Sequence, residues 1–179
     1  MTKRIVKKVV SGGQTGVDRA ALDVAARCGL SRGGWCPRGR LALDGPIPES
    51  YPLQETPSAS YRQRTRWNVR DSDGTLIISR GVLKGGTALT HRLAVKLGKP
   101  TLILDLDYLE GRPEAAWDML TDWIEAHQIA ILNVAGPREQ DKRGVYKKTY
   151  AFLKGYWDQP MGRGGGEVAV SSNLRAAPV

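Results

Sequence analysis

Cysteine and histidine are scarce in this chain, at two residues each among 179. Cys28 and Cys36 do not form a CxxC pair, and two cysteines do not make a disulfide framework, so both read as reduced. His91 and His127 fall in separate helical segments without ligand spacing, so the sequence offers no structural metal site. No run approaches the roughly 20 apolar residues needed to cross a bilayer. The opening MTKRIVKKVV is basic but has too short an apolar stretch for a secretory leader. The expectation is a cytoplasmic chain with no membrane contact. Catalytic signatures are missing as well: no GxSxG elbow, no Gly-Lys-Ser/Thr Walker turn and no GxGxxG. Without zinc-finger spacing, a basic zipper or an aromatic RNP-like strand, nucleic acid is not an expected partner.

What is present is a surplus of positive charge, +9 net, spread along the chain with modest clusters at 3–8 and 62–70. That balance suits solubility and attraction for a small anionic ligand. Short Val- and Ile-rich runs alternate with segments of helical period, which argues for βαβ units and a parallel sheet. Strands are expected at 5–10, near 34–37, at 75–79, 101–105 and 129–134. Helices are expected at 17–28, 58–70, 87–97, from Pro113 onward, and at 145–157. The helical stripes are Val17, Ala21, Val24 and Cys28; Leu89, Leu93 and Leu97; Trp117, Leu120 and Ile124; and Val145, Thr149, Phe152, Leu153 and Tyr156. Ser58 or Ser60 is placed to cap the second helix. Residues 38–57, rich in proline, glycine and charge, read as a long functional or mobile loop. Residues 1–157 are expected to form one ligand-binding domain, and 158–179 a glycine-rich disordered tail.

Three turns share one design, a strand followed by a glycine-containing turn, usually leading into a helix. In a parallel sheet the carboxyl ends of the strands share an edge, so these turns converge. Glycine lets backbone approach a ligand closely, and a following helix directs free N–H groups and its positive dipole end at the same place. One exposed helix end favours an anion by only about 0.3–1 kcal/mol, so the expectation depends on convergence. In SGGQTG, Gly12 and Gly13 make the tight turn. Gln14, Thr15 and Gly16 offer N–H groups, and Asp18 and Arg19 open the helix. Asp18 equally suits the helix dipole. After Ser79, the second turn carries Arg80, Gly85, Gly86 and Thr87, with Thr87 also a natural helix cap. The third is Gly136-Pro137-Arg138-Glu139. Arg62, Arg66 and Arg70 share one helical face, which either faces solvent or meets a bound anion. Cys36, near the proposed site, is either a packed side chain or a reactive thiol.

The stretches SGGQTGVDRAALD (11–23), GGWCPRGRLALDGPIPESYPLQET (33–56), RTRWNVRDSDGTLIIS (64–79), RGVLKGGTALT (80–90), GKPTLILDLD (98–107) and NVAGPRE (133–139) resemble the molybdenum (molybdenum-cofactor) carrier proteins. These are a circularly permuted branch of the YpsA/LOG-like (SLOG) Rossmann superfamily. The resemblance implies a Rossmann-like α/β three-layer sandwich with a five-stranded, mainly parallel sheet. In it the fifth strand lies in the middle, giving the spatial order second, first, fifth, third, fourth. It also implies molybdenum cofactor as a carried ligand, a homo-oligomer, and molybdoenzymes as recipients. LOG enzymes, which release a base from nucleoside monophosphates, carry PGGxGTxxE. Here Gly86-Thr87 matches the GT, and Thr90 stands at the catalytic glutamate position. Threonine cannot do general acid–base work, so a binding protein is expected, with a nucleotide phosphoribohydrolase or a nucleotide-sensing module as the alternative. The arginine partner would be Arg64 or Arg66. Asp18 or Glu139 could stand in for the acid only with suitable geometry.

Overall fold

The structure is a computed structural model that describes residues 5–107, 111 and 113–159. Five parallel strands form the main sheet: β1 (Lys8–Val10), β2 (Ser31–Gly33), β3 (Gly74–Ser79), β4 (Thr101–Asp105) and β5 (Ile131–Ala135). Their order is β2-β1-β5-β3-β4, as the resemblance implied. β5 pairs with β1 on one side (Val10↔Asn133) and with β3 on the other (Ile77↔Ala135). The chain therefore leaves the centre in two directions before its last strand fills the gap.

Among the described residues, five helices accompany the sheet: α1 (Val17–Arg27), α2 (Tyr61–Arg70), α3 (Gly85–Lys96), α4 (Pro113–His127) and α5 (Val145–Asp158). Strand side chains alternate between faces. Leu76, Ile78, Leu132 and Val134 join a core with α1, α4 and α5, through residues such as Val24, Leu120 and Leu153. α2 packs on α3, where Val69, Leu93 and Ala94 are buried. Leu89 and Leu97 of the expected α3 stripe are only half-buried. Asp158 and Gln159 are described, with α5 ending at Asp158; the rest of the expected tail, 160–179, lies outside the described residues.

The second sheet strand sits earlier than the sequence pattern predicts. Ser31–Gly33 pairs with β1. Gly34 then adopts φ +126°, and a Cβ there would lie 2.3 Å from Ser11 O. The chain kinks at that close approach. Trp35–Cys36 leaves the sheet and pairs in parallel with Gln54–Glu55 instead.

Residues 38–57 are built around one side chain. Arg40, 9% exposed, donates Nε to Ile47 O at 2.8 Å and Nη1 to Leu53 O at 3.2 Å. Its Nη2 donates to Pro48 O and Tyr51 O at 2.8 and 2.9 Å. Under this cage lies a small cluster of Leu22, Cys36, Ile47 and Leu53. Asp23 of α1 accepts from both Tyr51 and Tyr146, tying the loop and α5 to one carboxylate. Both phenols are pushed up, Tyr51 to about 12, first by burial and then by Asp23.

Candidate functional site

A cleft of about 840 Å³ opens where α2, α3 and the ends of β3 and β5 meet. It falls at the carboxyl edge of the sheet, beside the inserted strand, where open α/β sheets hold ligands. Its volume suits a small organic ligand. Seven basic side chains line it, Arg64, Arg80, Lys84 and Arg138 among them, against two acidic ones, Asp18 and Asp141. Tyr61, Val82 and Leu83 add an apolar part to the wall.

The three turns do meet here, each through only part of its length. From the first come Gln14 and Asp18; from the second, Ser79, Arg80, Gly85, Gly86 and Thr87; from the third, Gly136, Pro137 and Arg138. Gly12, Gly13, Thr15, Gly16, Arg19, Arg66 and Glu139 do not line it.

The first turn uses its own polar groups. Gln14 N–H donates to Asp18 Oδ2 at 3.3 Å, and Thr15 N–H to Gln14 Oε1 at 3.0 Å. The Thr15 hydroxyl donates to Gln140 Oε1 at 2.6 Å. Val17 N–H goes to Pro137 O and Arg19 N–H to Gln14 O, both at 3.3 Å. Short polar side chains compete for nearby amides in this way, so Gln14 and Thr15 do not offer free N–H groups. The glycines are packed as well. A Cβ on Gly13 (φ +72°) would lie 2.4 Å from Leu53 Cδ1, and one on Gly16 2.6 Å from Pro137 O. Gly136 is pressed against Ile78 O and Val17. Arg19 turns away, donating to Asp44 at 2.5 and 2.8 Å and to Gly13 O at 3.1 Å.

The turn before α3 is different. Lys84, not Thr87, is its N-cap, and, as at Gly16 of α1, no side-chain capping bond is made among the described residues. Thr87 and Ala88 N–H share Lys84 O. Gly85 and Gly86 N–H have no acceptor among the described residues. Both glycines are exposed, and nothing lies within 4 Å of a Cβ built on either. Thr90 donates its hydroxyl to Gly86 O at 2.9 Å.

On α2 it is Arg64 that lines the cleft, with Arg62; Arg66 is exposed and apart from it. Helical period singles out the 62/66/70 stripe and the resemblance leaves Arg64 and Arg66 open; contact with Gly12 and Asp18 selects Arg64. Ser60 is the N-cap of α2 but makes no side-chain capping bond. Arg64 Nη1 contacts Asp18 Oδ2 at 3.3 Å. Asp18 is 4% exposed, and burial raises its pKa against the opposing pull of Arg64 and the Gln14 amide. Glu139 is occupied elsewhere: its two carboxylate oxygens accept the N–H groups of Gly144 and Tyr146 at the start of α5. Arg80 donates to Asp107 at 2.8 Å and to Arg143 O at 2.9 Å, and Arg138 pairs with Asp141 at 2.7 Å. Cys36 is fully buried with its thiol pKa pushed up by burial, which suits packing and not reactivity. Among the described residues no group of His, Cys, Asp or Glu could hold a metal ion, and no helix is long and apolar enough to cross a membrane.

Comparison with known proteins agrees with this architecture. Residues 9–157 match the model of the circularly permutated YpsA SLOG family. A crystal structure from Syntrophus aciditrophicus SB, of a protein named "putative molybdenum carrier protein", is similar at 48% identity and a TM-score of 0.83, over 87% of this chain and 97% of that one. No curated protein matches. A family match over most of the chain, a near-half-identical neighbour and the inserted central strand together establish that this chain belongs to the circularly permuted YpsA SLOG family.

Proposed function

We propose that this protein is a carrier that holds a small phosphate-bearing ligand in the cleft, namely molybdenum cofactor or a related phosphate-bearing pterin or nucleotide. The observation that supports this most is the start of α3, where Gly85 and Gly86 are exposed in a strongly basic cleft and their N–H groups have no acceptor among the described residues. A helix start with free amides favours an anion through both hydrogen bonds and the dipole. Tyr61, Val82 and Leu83 give a flat ring system an apolar wall. Molybdenum would arrive on the cargo's own sulfur atoms, while the protein's part is to hold the phosphate and the ring. The same reading carries a homo-oligomer that passes its cargo to molybdoenzymes.

Protein purified from a cofactor-producing host should retain pterin fluorescence and molybdenum. Gly86→Asp, which adds a carboxylate where there is open space, should lose both without loss of folding. Retention unchanged in that variant would sink the reading. Light scattering tests the oligomer.

A second reading, nucleotide phosphoribohydrolase, is favoured by one observation. Asp18 faces the cleft, is buried, and keeps its proton to higher pH than an ordinary carboxyl, so it could donate that proton. Glu139 is unsuited, since both its oxygens cap α5. Release of free base from nucleoside monophosphates, lost in Asp18→Asn, would favour this enzyme over the carrier.

A further inference from the structure

Arg64 sits in the cleft wall with its bonding incomplete. Its guanidinium lies across Gly12: a Cβ on that residue would stand 1.8 Å from Nη1 and 2.4 Å from Cζ. The missing side chain at Gly12 makes room for the arginine. Nη1 contacts Asp18 Oδ2 at 3.3 Å, which is long for a charge-assisted bond. Nε is sealed from water and has no acceptor among the described residues. Nη2 makes no hydrogen bond among the described residues either, and it is not sealed.

The charges around it are also short. The side chain is only 15% exposed. Of the two acids lining the cleft, Asp141 is paired with Arg138. The other, Asp18, is buried, and burial raises its pKa against the opposing pull of Arg64. A guanidinium taken out of water is costly unless it is paired and hydrogen-bonded, and one long ion contact with the Tyr61 ring 6.0 Å away does not meet that requirement. Arginine matches phosphate geometry better than lysine does.

We propose that Arg64 is the residue that grips an oxyanion of the bound ligand, with Asp18 and Gly12 as positioning residues that hold its guanidinium against the cleft wall. This rests on the carrier reading of the cleft and adds to it: the ligand carries a tetrahedral oxyanion, a phosphoryl group above all, that meets Arg64 through Nη2. The oxyanion is either free or esterified, and the two are separable by experiment.

Calorimetric titration of the full chain with inorganic phosphate, adenosine 5′-monophosphate and adenosine tests it. The two phosphate probes should bind and adenosine should not compete with them. Tighter binding of the monophosphate identifies an esterified oxyanion, and equal affinities a free one. Arg64→Gln should weaken both phosphate probes by about tenfold or more, and Arg64→Lys by less. Gly12→Ala removes no charge, yet should weaken them comparably by displacing the guanidinium. Its melting temperature should stay close to the parent's, because the clashing atoms are the far end of a flexible side chain. Wild-type affinity in Arg64→Gln, alongside loss of binding in Gly86→Asp, would overturn the role of Arg64 and leave the carrier reading intact. Wild-type affinity in Gly12→Ala would overturn the positioning role of that glycine. Absence of phosphate binding in the unaltered chain would overturn the inference and the carrier reading together.

Discussion

Two glycine turns at the same sheet edge have opposite fates. In the turn before α1, Gln14, Thr15, Val17 and Arg19 N–H have partners, while Gly13 and Gly16 are buried, pressed against side chains and backbone, and do not line the cleft. In the turn before α3, Gly85 and Gly86 line the cleft, are exposed, and have neither N–H acceptors nor neighbours at their Cβ positions among the described residues. The richer motif is therefore scaffold: it seats Asp18, supports Arg64 and locks α1 to the turn after β5. The plainer motif has free donors that open on the cleft. A glycine-rich turn becomes an anion site only where its amides are both unpaired and open to the ligand, and glycine content alone does not report that.

Four experiments break or sharpen this contrast. Gly16→Ala should be the most damaging: φ is +84° and Pro137 O and Glu139 N would lie 2.6 and 2.7 Å from the new Cβ. A loss of about 3 kcal/mol in urea-unfolding stability is expected, and a loss below about 1 kcal/mol would show the first turn to be loosely held. Gly86→Asp should do the reverse. Its stability should hold or rise by a few tenths of a kcal/mol from the favourable charge at the helix start, while phosphate affinity measured by calorimetry drops about tenfold or more. Thr15→Val, which removes the bond to Gln140, should cost about 1 kcal/mol in the same unfolding assay and leave phosphate affinity unchanged.

The smallest effect is on pH dependence. Asp18 has a raised pKa in the folded state, so the folded chain binds this proton more tightly than the unfolded one. Its contribution is fully present below the ordinary carboxylate value of 3.8 and is lost as pH rises through the raised value. Asp44, Asp71 and Asp107, held low first by hydrogen bonds from Arg19, Arg70 and Arg80, act in the opposite sense. The difference in stability between the unaltered chain and Asp18→Asn isolates the one group. It should shift against the unaltered chain with rising pH across that window, and a flat difference would show that Asp18 is ordinarily ionised.

Much of this was legible beforehand, and the failures have local causes. Val/Ile runs and helical stripes located α1, α4, α5 and four of the sheet strands within a few residues, because burying one face forces those periods. The pattern misplaces the second strand because apolar Trp35 and Cys36 look more strand-like than Ser31-Arg32-Gly33. What decides it is the kink at Gly34 against Ser11, a contact with the end of a different strand. The 38–57 segment was recognisable as a loop, but its centre was not. An arginine amid prolines and glycines reads as exposed, and only the carbonyls of Ile47, Pro48, Tyr51 and Leu53 make it a buried hub. The resemblance leaves Arg64 and Arg66 as alternatives, since neither it nor helical period says which face of α2 packs inward.

By itself the sequence determined the alternation of strands and helices, the positions of the glycine turns and the surplus of positive charge. Those follow from local stereochemistry and from the need to bury one face of each element. The order of the strands came from resemblance, not from any local pattern. Which glycine turn opens on the basic cleft was settled by packing. Local acceptors satisfy Gln14, Thr15 and Arg19 N–H, but Leu53, Ile47 and Pro137, which close over Gly13 and Gly16, lie far away along the chain, and no local pattern places them there.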